Sequence, residues 1–239
     1  MANTFFRFKA FTIQQDRCAM KVTTDGCIFG AWCAADILLQ NNLARVLDVG
    51  AGIGLLSLML AQKLKAHITA IELDADAAAQ AKENIGASPW KERLTVINSD
   101  VLKHNFEEKF ETIVCNPPFY ENDLTSPNSK KNLAHHHLSL RLTDLLPGMK
   151  RWLSTGGALY LLVPFKRDEE LASILNKEGY FIAKKIALAP TASHPPIRMM
   201  LKAVLSPVDK KGGIIFIKNA DQQYSSETMQ LLKDYYLHL

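Results

Sequence analysis

Short apolar runs alternate along the chain with longer amphipathic or alanine-rich segments. The run 45–49 is rich in β-branched and apolar residues and ends in glycines, and 55–64 continues without a helix breaker, which predicts a strand, a tight turn and a helix. The same alternation predicts six further strands and four further helices. The strands are 67–73, 94–98, 111–115, 157–164, 181–188 and 199–205, the helices are 74–85, 138–153, 168–177 and 226–238, and loops are expected at 119–132, 189–196 and 206–213.

This order of elements predicts an α/β, Rossmann-like fold with a mostly parallel seven-stranded sheet flanked by helices. Parallel sheets of this kind bind ligands beyond the carboxyl ends of their strands. Glycine-rich or polar residues follow or end the first four predicted strands: Gly50 to Gly54, Glu72, Asp100 and Asn116. The chain is therefore expected to form one globular unit with its ligand site at that edge, built from a main domain over 45–239 and a preceding segment, 1–44.

The amino-acid composition excludes several classes of protein. With 239 residues, 48% hydrophobic and 22% charged, the chain has ordinary globular values, which exclude a disordered or fibrous protein. No apolar run is long enough to span a membrane, and the first residues lack the apolar core of a signal peptide, so a cytoplasmic location is expected. The four cysteines form no CxxC pair and predict free thiols rather than a zinc site. The net charge of +4 permits a polyanionic partner.

The turn after the first strand reads Asp48-Val-Gly50-Ala-Gly52-Ile-Gly54. This GxGxG pattern disfavours NAD, because the dinucleotide fingerprint GxGxxG would place a glycine where this chain has Leu55. Glycines still allow a close approach of backbone to ligand, and the amides at the start of the next helix suit a carboxylate. Glu72 suits the two hydroxyls of a ribose, and Asp100 suits an adenine amino group.

The segments VLDVGAGIG, IELD and NSD, in this order and spacing, resemble the class I methyltransferases that use S-adenosylmethionine and release S-adenosylhomocysteine. The resemblance implies that Asp48 and the glycines hold the methionine part of that cofactor. It also implies that Glu72, with Leu73 beside it, holds the ribose, and that Asp100 and Val101 hold the adenine. No metal is implied.

Asn116-Pro117-Pro118-Phe119 follows the fourth predicted strand. The side-chain oxygen of Asn116 and the carbonyl of Pro117 can accept the hydrogens of an exocyclic amine and turn its lone pair toward the methyl group, while Asn116 also borders the cofactor. Prolines hold that carbonyl rigidly, and Phe119, with Pro118 and Tyr120 beside it, can stack on a base. The motif resembles that of enzymes acting on adenine N6, cytosine N4, guanine N2 or a glutamine amide, so it leaves the acceptor open.

The opening FRFKAFTIQQDRCAMKVTTDGCIFGAW, residues 6–32, resembles the bacterial family that methylates adenine N6 beside the anticodon of a valine tRNA. Further similarity lies at 88–90, 221–225 and 235–237, which makes tRNA the expected partner, with no obligate protein partner evident. Two positions depart from that family: Thr23 replaces a glycine, and His135 replaces an arginine. His135 and the pair Lys130-Lys131 are the expected RNA contacts.

Two further expectations leave alternatives open. Lys21, Thr24, Asp25 and Gly26 are predicted to form a lid over the methionine end of the cofactor, or else a helix start capped by Asp25. The loop 121–131 is expected to order around a flipped base. The alternatives for function are an amino methyltransferase of ribosomal RNA or of a protein glutamine, and a non-catalytic RNA-binding protein on the same fold.

Overall fold

The computed structural model describes residues 3–18, 20–39, 44–117 and 142–239. Its strands are β1 (Phe5–Arg7), β2 (Thr12–Gln14), β3 (Arg45–Val49), β4 (His67–Glu72), β5 (Leu94–Asn98), β6 (Phe110–Cys115), β7 (Leu153–Pro164), β8 (Phe181–Ala189), β9 (Arg198–Val204) and β10 (Lys211–Phe216). Its helices are α1 (Thr24–Ile37), α2 (Leu55–Lys63), α3 (Ala75–Gly86), α4 (Leu142–Trp152), α5 (Asp168–Lys177) and α6 (Ser226–Leu232).

The central sheet has the strand order β10-β8-β9-β7-β6-β3-β4-β5. Neighbouring strands run parallel except where β9 pairs antiparallel with both β7 and β8. This arrangement confirms the predicted α/β, mostly parallel, Rossmann-like class. Strands β3, β4, β5, β6, β7, β8 and β10 consequently present their carboxyl ends at one edge of the sheet.

The sheet has eight strands, so the predicted number of seven is wrong by one. The additional strand, β10, begins inside the segment 206–213, which the sequence predicts to be a loop. Its sequence KGGIIF starts with a lysine and two glycines, residue types that disfavour strands in isolation. Parallel pairing with β8, from Lys211 opposite Lys184 to Phe216 opposite Ala189, provides the strand geometry that local sequence does not indicate.

Most other predicted boundaries agree within a few residues. Helix α3 starts after Asp74, one residue later than predicted, and the Asp74 carboxylate accepts a hydrogen bond from the backbone nitrogen of Ala77 at 2.8 Å. Strand β7 begins at Leu153 rather than 157, because α4 leads into it without a loop. Helix α6 ends at Leu232, not at 238. The predicted helix start at 138 lies outside the described residues.

The residues before β3 share one hydrophobic core with the sheet and its helices. Phe8 is 1% exposed, stacks on Phe11 and pairs through its backbone with Tyr236 near the end of the chain. Helix α1 is buried over most of its length and packs against α2. The hairpin β1-β2 and helix α1 are therefore held by the same apolar packing as the rest of the protein.

Cys18, Cys27, Cys33 and Cys115 are free thiols, as predicted. Among the helices of the described ranges, none combines the length and the apolar character that crossing a membrane requires.

Candidate functional site

The carboxyl ends of β3, β4, β5 and β6 bring together the predicted residues that end or follow these strands within the described ranges. Val49 pairs in register with both Ile71 and Cys115, and Glu72 pairs with Asn98. The glycine turn after β3, the carboxylate that ends β4, Asp100 after β5 and Asn116 after β6 therefore lie at one edge. The clustering expected from sequence order is present.

All three glycines of the turn after β3 have left-handed backbone conformations. Their φ angles are +68° at Gly50, +55° at Gly52 and +85° at Gly54. A Cβ added to Gly50 or Gly52 would meet no atom within 4 Å, whereas one on Gly54 would lie 3.6 Å from the side chains of Ala81 and Ile85. The first two glycines thus border open space, where a ligand can approach the backbone, and the third is favoured by its positive φ, since a Cβ there would make only ordinary contacts with α3.

Asp48 is fully buried at the end of β3. One carboxylate oxygen accepts hydrogen bonds from the Ser57 hydroxyl at 2.7 Å and the Ser57 backbone nitrogen at 3.0 Å. The other oxygen, Oδ1, is buried and has no partner in the described residues. Burial raises the pKa of Asp48 to about 7, although the bonds from Ser57 act in the opposite direction, and the charge of Glu72 raises it further. A donor or a positive charge supplied by a ligand would satisfy Oδ1.

Glu72 connects the second strand to the glycine turn. Its Oε2 accepts from the backbone nitrogen of Gly52 at 2.8 Å, and its Oε1 accepts from that of Asp74 at 2.9 Å. The Asn98 amide donates to the carbonyls of Glu72 and Leu73 at 3.0 and 3.1 Å, which holds the end of β4 against β5. Leu73 is 36% exposed and offers an apolar surface beside the carboxylate.

Asp100 starts a turn after β5. Its Oδ1 accepts from the backbone nitrogen of Leu102 at 3.0 Å, and Lys103 lies 3.5 Å from its other oxygen. Val101, the next residue, is buried. The pair therefore offers a carboxylate beside an apolar side chain, the combination that the resemblance assigns to an adenine.

Asn116 is partly exposed and Pro117 is buried directly after β6. Burial raises the pKa of the Cys115 thiol well above its usual value, as do the charges of Asp48 and Glu72. The thiol beside Asn116 therefore stays protonated and is not a nucleophile. The other expected residues of this part of the site lie outside the described residues: Pro118, Phe119, Tyr120, Lys130, Lys131 and His135.

The segment predicted as a lid leads into the start of α1. Thr23 is the N-cap residue, and its hydroxyl accepts from the backbone nitrogen of Gly26 at 3.3 Å, so the expectation that Asp25 caps this helix is wrong. The cap lies one residue before the helix, where an extended backbone directs the threonine hydroxyl at the amide. Asp25 accepts from the same amide at 3.1 Å and forms an ion pair with Arg198 at 2.9 Å. Lys21 donates to the Asn3 carbonyl at 2.9 Å.

Three buried amides that the sequence pattern did not single out fasten the N-terminal segment. Gln15 accepts from the backbone nitrogen of Val22 at 2.9 Å. Asn84 bonds both backbone groups of Gln14, and Gln80 accepts from the backbone nitrogen of Arg17 at 3.2 Å. Gln80 and Asn84 are spaced i, i+4 among the alanines of α3, a polar pair on a buried face, and that spacing is the signal that could have identified them.

This site fits S-adenosylmethionine. Open space at Gly50 and Gly52 admits a ligand, and the unpartnered Asp48 oxygen suits its positive charge. Glu72 and Asp100 provide acceptors at the neighbouring strand ends. In the described part of the chain, no group of three or more His, Cys, Asp or Glu side chains is placed to hold a metal. The fold and the site together define a class I S-adenosylmethionine-dependent methyltransferase.

Solved structures agree with that fold. A predicted O-methyltransferase from Agrobacterium tumefaciens superposes with a TM-score of 0.65 at 16% identity, covering 88% of this chain and 96% of that one. A glycopeptide N-methyltransferase in complex with S-adenosylmethionine superposes with a TM-score of 0.56 at 15% identity, covering 76% and 95%. At these identities the similarity concerns the fold alone.

Sequence comparison specifies the family. Residues 33–177 match the methyltransferase small domain, and the chain belongs to this family. A protein of Parabacteroides distasonis is 38% identical over the full length of both chains, and one of Tolumonas auensis is 34% identical over 100% of this chain and 99% of its own. A third, from Dyadobacter fermentans, is 41% identical over 84% of this chain and 82% of its own. All three are named tRNA1(Val) (adenine(37)-N6)-methyltransferase.

Proposed function

We infer that this protein transfers a methyl group from S-adenosylmethionine to the exocyclic N6 amine of an adenine in tRNA. Full-length relatives carry this activity in their names, with adenine 37 of a valine tRNA as the target, and we propose the same nucleotide here. The observation that carries the proposal is the register of β3 and β6, in which Val49 is opposite Cys115. It sets the glycine turn and Asn116-Pro117 side by side.

The residues at the first three strand ends would hold the cofactor. Asp48, Gly50 and Gly52 would hold its methionine part, Gly54 would maintain the turn, and the segment that contains Lys21, Thr24, Asp25 and Gly26 would cover it. The ribose would lie on Glu72 and Leu73, and the adenine on Asp100 and Val101. When bound, S-adenosylmethionine supplies an electrophilic methyl group on its sulfonium.

Asn116 and Pro117 would orient the acceptor. The Asn116 side-chain oxygen and the Pro117 carbonyl each accept one hydrogen of the amine, which turns the nitrogen lone pair away from the ring and toward the cofactor. Burial of Pro117 supports the proposal that its carbonyl would be held in a fixed direction before the base arrives. Phe119, with Pro118 and Tyr120 beside it, would stack on the flipped base.

Three further assignments belong to the same proposal. Lys130, Lys131 and His135 would contact the RNA, and the loop 121–131 would order around the base. Residues 1–44 would act as a cofactor lid and substrate-contact segment in front of the catalytic domain 45–239. Because its substrate would be tRNA, we expect the protein to act in the cytoplasm.

The test is methyl transfer from labelled S-adenosylmethionine to tRNA, ribosomal RNA and protein extracted separately from cells that lack the gene. We expect label in tRNA that digests to N6-methyladenosine. Label in ribosomal RNA alone or in protein alone would refute tRNA as the substrate, while methyl transfer from S-adenosylmethionine would still stand.

The site residues are tested separately with Asn116→Ala. We expect the rate of methyl transfer to fall at least about a hundredfold, the usual order for removal of a preorganised hydrogen-bonding group. The affinity for S-adenosylmethionine, measured by calorimetry, should stay close to that of the unmodified protein. Full activity of Asn116→Ala would exclude the proposed orientation of the amine. Failure of the unmodified protein to bind S-adenosylmethionine would favour a non-catalytic RNA-binding protein.

A further inference from the structure

The two halves of the carboxyl edge of the sheet, on either side of Asn116, carry different charged residues. On the β3-β4-β5 side the residues at the strand ends are acidic: Asp48, Glu72 and Asp100. On the β7-β8-β9-β10 side the same edge carries the basic side chains Lys166, His194, Arg198 and Lys218, and the acidic residues Asp168, Glu169 and Glu170 follow at the start of α5. We call the four basic residues the basic face. The loop 190–197 that connects β8 to β9 contains no acidic residue.

Backbone hydrogen bonds bring the members of the basic face together. The nitrogen of Lys218 donates to the carbonyl of Pro190 at 2.9 Å, and that of Phe165 donates to the carbonyl of Ile197 at 3.1 Å. The loop 190–197 is therefore joined at its start to a residue just after β10 and at its finish to the residue before Lys166. Lys166 is exposed and Lys218 is partly exposed at this edge.

The loop itself is ordered by a small polar cluster. Thr191 is 6% exposed, and its hydroxyl lies 2.7 Å from Nδ1 of His194 and 2.9 Å from the Ser193 hydroxyl. The His194 backbone nitrogen donates to the Thr191 carbonyl at 3.1 Å, closing the turn. With Nδ1 engaged, Nε2 is the ring nitrogen that an exposed His194 can offer to an external acceptor.

Several carboxylates offset part of the charge of this region, among them Asp168, which pairs with Lys185, and the exposed Glu169 beside it. Asp25 pairs with Arg198 at 2.9 Å, and Glu170 pairs with Arg167 at 2.7 Å. Asp221 lies in the exposed turn after Lys218. The ion pair leaves the Arg198 side chain 40% exposed, so its outer face remains available to an anion.

We propose that the basic face binds the phosphate backbone of the tRNA whose base enters at Asn116. The inference rests on the proposed function and adds to it a second contact surface, on the opposite side of Asn116 from the acidic cofactor half. Lysine, arginine and histidine side chains around the loop 190–197, which has no acidic residue, suit contacts with the phosphates of a polyanion. An acidic protein would meet the same charges, and the experiment separates the two.

The decisive comparison uses two double variants that remove equal charge. Lys166→Ala with Lys218→Ala removes the two lysine amines of the basic face. Lys65→Ala with Lys109→Ala removes two exposed lysines that precede β4 and β6 at the opposite edge of the sheet. Binding of fluorescently labelled unmodified valine tRNA is measured by anisotropy over a series of salt concentrations, beside calorimetry with S-adenosylmethionine.

We expect the basic-face variant to bind tRNA roughly 30-fold more weakly at 0.1 M salt and to lower the slope of log affinity against log salt by about 2, one for each phosphate that a lysine no longer neutralises. The opposite-edge variant should bind tRNA with an affinity close to that of the unmodified protein. The affinity for S-adenosylmethionine should be unchanged in both double variants, since none of the four lysines belongs to the glycine turn or to the carboxyl ends of β4 and β5. His194→Ala should weaken tRNA binding by a smaller factor.

Equal tRNA affinities of the two double variants would refute the proposal that the basic face binds tRNA. Methyl transfer to tRNA, and hence the proposed function, would remain intact. The converse result, weakened tRNA binding in a protein that methylates no tRNA, would support the basic face and overturn the proposed function. Unmodified protein that binds an acidic polypeptide but no tRNA would overturn both.

Discussion

Replacement of Asn84 by alanine tests how the N-terminal segment and the glycine turn are joined. The Asn84 amide is 2% exposed and makes three hydrogen bonds: it accepts from the Gln14 nitrogen at 2.8 Å and donates to the carbonyls of Gln14 and Ile53 at 3.0 Å each. The Asn84 side chain thus bonds the backbone of Gln14 at the end of β2 and also holds the carbonyl of Ile53, which lies between Gly52 and Gly54. Its removal should affect both folding and the cofactor site.

The expected magnitude follows from those bonds. Each contributes about 1 kcal/mol net, and the buried Ile53 carbonyl would be left without this partner, so Asn84→Ala should cost about 2 to 4 kcal/mol of unfolding free energy. In a protein of this size that loss lowers the melting temperature by roughly 5 to 15 °C. Because the turn at Ile53 would loosen, the affinity for S-adenosylmethionine should fall about tenfold or more, since orienting a freed turn costs on the order of 1.4 kcal/mol.

Gln80→Ala is the matched control. Gln80 lies one turn earlier on the same helix, is equally buried, and bonds Asp16 and the Arg17 nitrogen rather than the glycine turn. We expect a loss of about 1 to 2 kcal/mol and unchanged cofactor affinity. Scanning calorimetry and titration calorimetry measure the two quantities. Equal cofactor affinities for the two variants, or a melting temperature of Asn84→Ala within about 2 °C of the unmodified protein, would refute the assigned role of Asn84.

Three further experiments address the site and its flank. Because the folded-state pKa of Asp48 is raised to about 7, the stabilisation from its bound proton is complete below the ordinary value near 4 and is lost progressively as the pH rises from there through about 7. Asp48→Asn should therefore flatten the change in melting temperature between about pH 4.5 and about pH 7.5, measured without cofactor. An unchanged pH profile would contradict the raised pKa. Gly52→Ala and Gly156→Ala both place a Cβ at positive φ in open space and should each cost about 1 to 2 kcal/mol in thermal unfolding, but only Gly52→Ala should abolish cofactor binding in calorimetry. Equal cofactor binding by both would exclude the assigned role of the turn. Thr23→Ala should lower the free energy of unfolding by about 0.5 kcal/mol, the low end for loss of an N-cap, because Asp25 accepts from the same amide. Thr23→Gly should lower it by about a few tenths of a kcal/mol. A loss above about 2 kcal/mol in denaturant unfolding would show that Thr23 does more than cap the helix.

The part of the fold that alternates regularly could be predicted from sequence. Strands β3 and β5 and helix α5 have the predicted bounds, because their apolar runs end at glycine or polar residues that also end the element. The grouping of Glu72, Asp100 and Asn116 followed from strand order alone, since parallel strands place their carboxyl ends at one edge. These residues needed no knowledge of side-chain packing.

Features that depend on contacts between distant segments could not be predicted. Strand β10 exists because β8 offers it a partner, and its own glycines give no strand signal. Asp25 joins Arg198 across most of the chain, a contact that no local pattern encodes. The same holds for the partners of Gln15 and Asn84, which are backbone groups and therefore leave no complementary residue type in the sequence, although the spacing of Gln80 and Asn84 marks a buried polar pair.

Helix α1 is fixed to the sheet at both of its ends. Near its end, Asp36 is 6% exposed and accepts from the Tyr160 hydroxyl at 2.6 Å and from Lys202 at 2.8 Å, with Lys184 as a further partner. Burial alone would raise the pKa of Asp36, but these bonds outweigh it and lower the pKa below its ordinary value. The carboxylate therefore stays ionised, so its ties to β7, β8 and β9 persist at neutral pH.

At its start, α1 is held from both halves of the site. Gln15 fastens Val22 from the side of α3 and the glycine turn, and Arg198 fastens Asp25 from the side of the basic face. Removal of Arg198 would consequently disturb the predicted cofactor lid and the proposed phosphate contact together, and weaker tRNA binding would have two explanations. Lys166 follows β7 and Lys218 follows β10, and neither takes part in the ion pair between Arg198 and Asp25, so their replacement tests the RNA contact without removing that pair.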